Sequence, residues 1–451
     1  MQNYAIFFTY RAFSSIFFNN FAGCYKIRVM KKIMILGCLS FVMAVSSQAQ
    51  NTTNSPYSQF GIGVLSDLSQ GFSKGMNGAS LGVRKGNVVN VKNPASYSAV
   101  DSLTFLFDAG LTGQVTHFKE GAAKINAHGA GFDYAVGSFR LMPHVGMSFG
   151  VVPISVVGYQ YTTNSYINST FGTETSTYHG EGGFRQAFIG AGWQVLAPLS
   201  IGVNVGYLWG TMDRSVLAVA SGINSLFKGY SASANSISAN FGLQYDYQLN
   251  PKDALTFGLT LGVGHKMSSN PTCEIINVNT ADTTKFELKN GLSIPMSYGV
   301  GVAWTHDNKL IVDADFTLQK WGSLDFPGNN PTTNRYEMRS DLLKDRYQVA
   351  VGLDYVPSEL SRQYLNRIHY KFGAGYATPY YYINGKEGPK ELSVSLGFGL
   401  PLQNAYNSRS VLNVSTQWVH TSATNMITEN TFRINIGLTF NERWFSKWKI
   451  D

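Results

Sequence analysis

The last alternating segment of the chain sets the terms for the rest. In Thr431–Phe440, Phe432, Ile434, Ile436, Leu438 and Phe440 alternate with Thr431, Arg433, Asn435, Gly437 and Thr439. Side chains on a strand point alternately to its two faces, so this segment builds a strand with one apolar and one polar face. About ten tilted residues are also enough to cross a bilayer. The alternation recurs from Leu103 onward without intervening helices, in about fourteen segments. The series predicts an all-β fold, a transmembrane antiparallel β-barrel of about 14 strands.

The first fifty residues read as targeting sequence. Met30, Lys31 and Lys32 form a basic stub, Ile33 to Val45 an apolar core, and Ser47-Gln48-Ala49 a small-x-small cleavage site. Residues 1–49 are therefore expected to be leader and signal peptide, with Met30 the natural start. They carry Arg11, Lys26, Arg28, Lys31 and Lys32 and no acid, so the formal charge of +8 falls by five to +3 without them. A basic surface for nucleic acid does not survive that correction. Cys273 is the one cysteine beyond the leader, which leaves no pair for an intrachain disulfide and no thiolate metal cluster.

The connections alternate in length. Leu196-Ala197-Pro198-Leu199, Asn250-Pro251-Lys252-Asp253 and His306-Asp307-Asn308-Lys309 read as tight turns. Tyr161 to Gly180 and the segments near 214–233, 267–290 and 323–344 read as loops. Short turns at one end and long loops at the other match the periplasmic and extracellular ends of an outer-membrane barrel. The expected organisation is a hatch over 50–102, a barrel over 103–440 and a periplasmic extension over 441–451. The hatch segment is rich in Gly, Ser and Asn with isolated apolar residues such as Phe60, Ile62 and Phe72. It reads either as a solvated tail or as a plug folded inside the barrel.

Asn93-Pro94-Ala95 precedes the first strand, and Gly75-Met76-Asn77-Gly78-Ala79-Ser80-Leu81-Gly82 lies before it. Later come Leu292-Ser293-Ile294-Pro295-Met296-Ser297-Tyr298, then Asp313-Ala314-Asp315, then Lys320-Trp321. Order and spacing together resemble the FadL/TodX family of outer-membrane transporters for long-chain fatty acids and other hydrophobic compounds, as a divergent branch. The resemblance implies a fourteen-stranded barrel, a hatch ending in the Asn93-Pro94-Ala95 motif, and a lateral passage at a kink in the third strand. The aromatic tail with Trp444, Phe445 and Trp448 departs from the family pattern.

Pro153 interrupts the third strand and cannot donate to a ladder, so it marks either a tolerated bulge or rim, or the lateral exit that the resemblance implies. Leu217, Leu226 and Phe227 belong to an apolar loop that either captures a greasy ligand or packs on itself or a partner. Asp313 and Asp315 share one strand face, and lipid exposure of two carboxylates is costly, so they are expected in the lumen. Asp354, Glu391 and Arg433 point inward by the same parity and complete a polar lumen network. The histidines are scattered, and no motif suggests a catalytic set.

These readings combine into an outer-membrane protein, exported through a signal peptide, that passively takes up fatty-acid-like small molecules and releases them laterally. It is expected to be no enzyme and to use no cofactor or metal. Its expected partners are membrane lipid, a hydrophobic ligand and envelope proteins, but not nucleic acid. The alternative is a non-transporting barrel subunit of an outer-membrane secretion or assembly complex.

Overall fold

A computed structural model describes residues 53–168, 172–330, 333, 335–402 and 410–443. The leader and Trp444, Phe445 and Trp448 lie outside the described residues. Fourteen strands form one closed antiparallel barrel: β1 (Thr104–Glu120), β2 (Ala123–Met142), β3 (Val145–Asn168), β4 (Gly172–Gln194), β5 (Leu199–Val219), β6 (Leu226–Gln248) and β7 (Asp253–Gly262). They continue as β8 (Ser297–His306), β9 (Leu310–Gln319), β10 (Arg346–Tyr355), β11 (His369–Ala377), β12 (Lys390–Leu402), β13 (Ser410–Ser422) and β14 (Thr428–Arg443). Each strand pairs with its sequence neighbour, and β1 closes the ring on β14 from Thr104↔Arg443 to Lys119↔Thr428. The β1–β14 pairing closes the ring, the arrangement that lets strands span hydrocarbon.

The alternation read from sequence maps onto the wall. Phe432, Ile434, Ile436 and Phe440 are exposed on the outside, while Thr431, Asn435 and Thr439 are buried inside. Trp193, Trp304 and Trp418 also face outward, near the strand ends where interfacial aromatics sit.

The wall is uneven in height. β2–β6 have 20 to 24 residues, whereas β7–β10 have 10 each. Two expected loops are therefore strand: 161–168 pairs with 172–178, and 214–218 pairs with 226–230. Threonine, serine and tyrosine favour extended backbone without the apolar face that marks a membrane span, so the pattern faded where the strands leave the bilayer. A hairpin, Thr272–Asn277 with Thr283–Glu287, continues this tall wall by pairing Thr272–Asn277 with Leu226–Ser231.

Residues 53–102 run through the lumen, almost all of them buried or half-buried. They carry short helical turns at Pro56–Gln59, Gly71–Lys74 and Pro94–Ala99, and a two-residue strand at Val64–Leu65.

Candidate functional site at the inner segment and the β2–β3 seam

The inner segment rests on glycines that the register lines up. Gly146 of β3 pairs with Gly192 of β4, Gly192 with Gly202 of β5, and Gly202 with Gly242 of β6. The Pro94–Ala99 turn lies across this row. A Cβ on Gly202 would stand 2.3 Å from the Pro94 carbonyl carbon, and one on Gly146 would stand 1.8 Å from the Tyr97 carbonyl oxygen. Only a strand surface without side chains lets another backbone approach so closely. Asn93 fixes the start of the turn. Its Oδ1 accepts from the Ala95 N–H, and its Nδ2 donates to the carbonyls of Leu81 and Leu243. Pro94 supplies the preset φ of a first helical residue, and Ala95 is fully buried.

A second row starts on β6 and crosses to β9: Gln244, Gly258, Gly301 and Asp315. Leu81–Gly82 sits over its two glycines. Gln244 Nε2 donates to the carbonyls of Leu81 and Val83 from one side. On the other, Asp315 accepts from the Ser80 and Leu81 N–H groups at 2.7 to 3.2 Å. Asp313 is buried beside Gly82. Both acids are buried on the inner side of β9, and the backbone of the inner segment is the partner of Asp315.

Ion pairs complete this anchorage. Lys85 meets Asp354 at 3.1 Å, Arg84 meets Asp246 at 3.1 Å, and Lys74 meets Asp133. Burial pulls the Arg84 guanidinium below its ordinary pKa, against the opposing pull of Asp246. Burial likewise pushes the Tyr97 phenol above its ordinary value.

Arg433 donates to Gln114 and Gln417, and Glu391 lies 3.7 Å from Arg346. These side chains, with Lys74 and Asp133, line a polar cleft of about 170 Å³ that also reaches Val152 and Pro153. Beside it, sharing Leu65, lies an apolar cluster that includes Tyr57, Ile62, Val157, Tyr159, Phe184 and Tyr380, with Ile154 packed against it.

The wall itself opens between β2 and β3. Their ladder runs from Met142↔Val145 to Ala135↔Val151 and stops there. Residues 123–134 of β2 continue paired with β1 alone, and β3 beyond Val151 continues paired with β4. Pro153 lies just past the break, followed by a bulge between Pro153 and Ser155. The inner segment fills the split. Val64 and Leu65 pair with Val156 and Ser155, and the Ser66 N–H donates to the Ile154 carbonyl. Higher up, Asn54 Nδ2 donates to the His128 carbonyl at 2.8 Å. The Gly158 N–H donates to Ser58 Oγ at 3.1 Å, and the Ser58 hydroxyl is shared between the Ser55 carbonyl at 2.7 Å and the Gly158 carbonyl at 3.3 Å.

The candidate residues thus separate into groups. Asn93, Pro94, Ala95, Asp313, Asp315 and Asp354 meet at the anchored part of the inner segment. Glu391 and Arg433 line the cleft, and Pro153 marks the split. Leu217, Leu226 and Phe227 lie apart, on the β5–β6 hairpin, where Leu217 faces Phe227 across the ladder. Sequence reasoning missed Asn54, Ser58, Gln244 and the glycine rows. Of the rows' glycines Gly192 and Gly301 alone sit in a Gly-x-Gly, and the rows take shape only once the register is known. Among the described residues, no three His, Cys, Asp or Glu gather as metal ligands would.

A match to the BamG family covers residues 29–451. The chain belongs to that family. No curated protein matches this BamG-family chain. Solved structures that share its fold include the toluene transporter TodX of P. putida, at 16% identity and TM-score 0.55 over 83% of this chain and 98% of that one. The toluene transporter TbuX of Ralstonia pickettii matches at 13% and 0.53, over 82% and 97%. A FadL homologue of Pseudomonas aeruginosa matches at 10% and 0.53, over 84% and 98%. At such identities the likeness establishes the barrel fold, as the FadL/TodX resemblance in the sequence implied.

Proposed function

We propose that this BamG-family barrel sits in the outer membrane and passes a hydrophobic small molecule, fatty-acid-like in character, from its long-loop end to the lipid through the β2–β3 split. One observation carries this reading: the split is backed on the lumen side by the apolar cluster through Ile154, Val157, Tyr159 and Leu65. An apolar ligand entering among the loops would meet aromatic surface, move along it, and reach lipid at the split, which the polar cleft borders at Val152 and Pro153. Leu217, Leu226 and Phe227 would serve capture at the rim, and Pro153 would hold the ladder open. In this reading residues 1–49 are the leader, 50–102 the hatch, 103–443 the barrel and 444–451 the tail, since β14 keeps its pairing with β1 three residues past the boundary read from the sequence. The glycine rows and ion pairs argue for a static hatch base over 70–100, so any gating belongs to 53–68. Nothing in the sequence suggests an energy source, so flow is passive and follows the gradient.

The test is uptake of a labelled C12 fatty acid and of toluene into proteoliposomes holding the full chain. A disulfide between Asn54→Cys and His128→Cys should block uptake, and reductant should restore it. Uptake no faster than in protein-free vesicles, or indifferent to the lock, would remove the transport reading.

A second reading is the barrel subunit of a secretion or assembly complex. It is favoured by the anchored plug and by family membership in BamG, with kinship to the transporters limited to fold. A stoichiometric envelope partner co-purifying in mild detergent would support it.

A further inference from the structure

We propose that the upper edge of β3, over Gln160–Tyr166, is a strand-addition site that takes an extended segment of another exported protein, antiparallel to β3. The proposal stands apart from ligand passage. The Gly158 N–H and carbonyl both face the split, where they bond Ser58. Residues two apart on a strand present their backbone to the same side, so Gln160, Thr162 and Asn164 face it too. Among the described residues their N–H and carbonyl groups on that side meet no strand, and the side chains of this stretch are mostly exposed. An unpaired edge is a template for another chain, and proteins ordinarily blunt such edges with charge, proline or bulges.

This edge is not blunted. From Tyr159 to Ile167 the sequence has no charged residue, proline or glycine and is rich in tyrosine and threonine, residues that favour strands. The other open edges differ: Thr283–Glu287 carries Lys285 and Glu287, and the facing part of β2 carries Lys124 and Asp133. The foot of the same edge is already used for strand addition, since Val64–Leu65 pairs there in antiparallel register. There is room, because the Asn54–Ser58 segment stands between His128 and Gly158. A second copy of this chain fits poorly. Two copies in one membrane both direct β3 away from the bilayer and would meet in parallel, whereas the pairing already present is antiparallel. The occupant fits the mode in which main-chain hydrogen bonds supply affinity.

The probe is a fluorescent synthetic peptide with the sequence of residues 173–182, which β3 already pairs on its other side. It is titrated onto the full chain in lipid nanodiscs. Saturable binding is expected, unchanged by Thr162→Ala and weakened about tenfold by Thr162→Pro, which removes an edge donor but no β3–β4 bond. Should that variant misfold, N-methylating the peptide's pairing amides should weaken binding to the unaltered protein equally. Absent binding, or binding indifferent to both changes, overturns the proposal. So does an efficient disulfide between two Asn164→Cys copies in one membrane, which would place a second copy at this edge.

Discussion

Continued seven positions past its last pair, Ala135↔Val151, the β2–β3 register would set His128 opposite Gly158, yet each is bonded to the inner segment instead of to the other. The ladder's own numbering sets them opposite, so the split is a parting of two strands that could pair. Ser58 makes two of the bonds that hold them apart. Ser58→Ala should cost about 1 kcal/mol for each bond lost and should speed amide exchange at Gly158 by several-fold. Hydrogen exchange on the reconstituted protein checks this, with Thr162→Ala as the unaffected comparison.

The glycine row makes a sharper claim about size. At Gly202 the obstacle to a methyl group is Pro94 backbone, which cannot step aside. Gly202→Ala should therefore destabilise by about 1–3 kcal/mol, as overpacking does. Gly113 has nothing within 4 Å of such a methyl, and Gly113→Ala should leave the thermal midpoint nearly unchanged. Heat-dependent gel mobility of the two variants gives the comparison.

Asp315 satisfies two backbone donors of the inner segment. Asp315→Ala strands both in a dry interior, at a cost of about 1–3 kcal/mol for each unsatisfied group. A cysteine at Ser80 should then become reactive to a small maleimide, while in the otherwise unchanged protein it should stay protected.

Cys273 belongs to the hairpin that extends the tall wall, its side chain is buried, and burial pushes its thiol up. Alkylation of the native protein at mildly alkaline pH should be slow and should become fast on unfolding. Rapid native labelling would mean that the hairpin does not rest on Leu226–Ser231.

The Lys344 hydrogen bond and charge hold the Glu387 carboxyl below its ordinary pKa. The folded-state value is thus the depressed one. The pair's contribution is present above the ordinary glutamate pKa and is lost as pH falls through the lowered one. An NMR titration of Glu387 should show this low midpoint, and Lys344→Ala should return it to normal.

The barrel was legible in the sequence because Phe432, Ile434 and Ile436 had to face lipid, and a period of two leaves few alternatives. Asp313 and Asp315 were legible for the complementary reason, that lipid would not accept them. Strand length was not legible beyond the membrane, since Thr162, Thr163 and Asn164 carry no face preference once water lies on both sides. The row from Gly146 to Gly242 stayed hidden because four glycines on four strands share a level only when the register is known. Pro153 was visible as a fault in β3, but whether the neighbouring strand closes over it depends on His128 and its surroundings, far away in the chain.

The glycine rows also bear on the order in which this protein is put together. A backbone turn pressed onto bare strand surface, with no side-chain clearance to slide through, cannot be threaded into a finished cylinder. The turn at Pro94–Ala99 precedes β1 in the chain, and β1 is also the strand on which β14 closes the ring. The β1–β14 seam therefore closes around this turn, which the finished wall would leave no clearance to admit. Biogenesis of this protein amounts to wrapping a sheet about its own N-terminal segment.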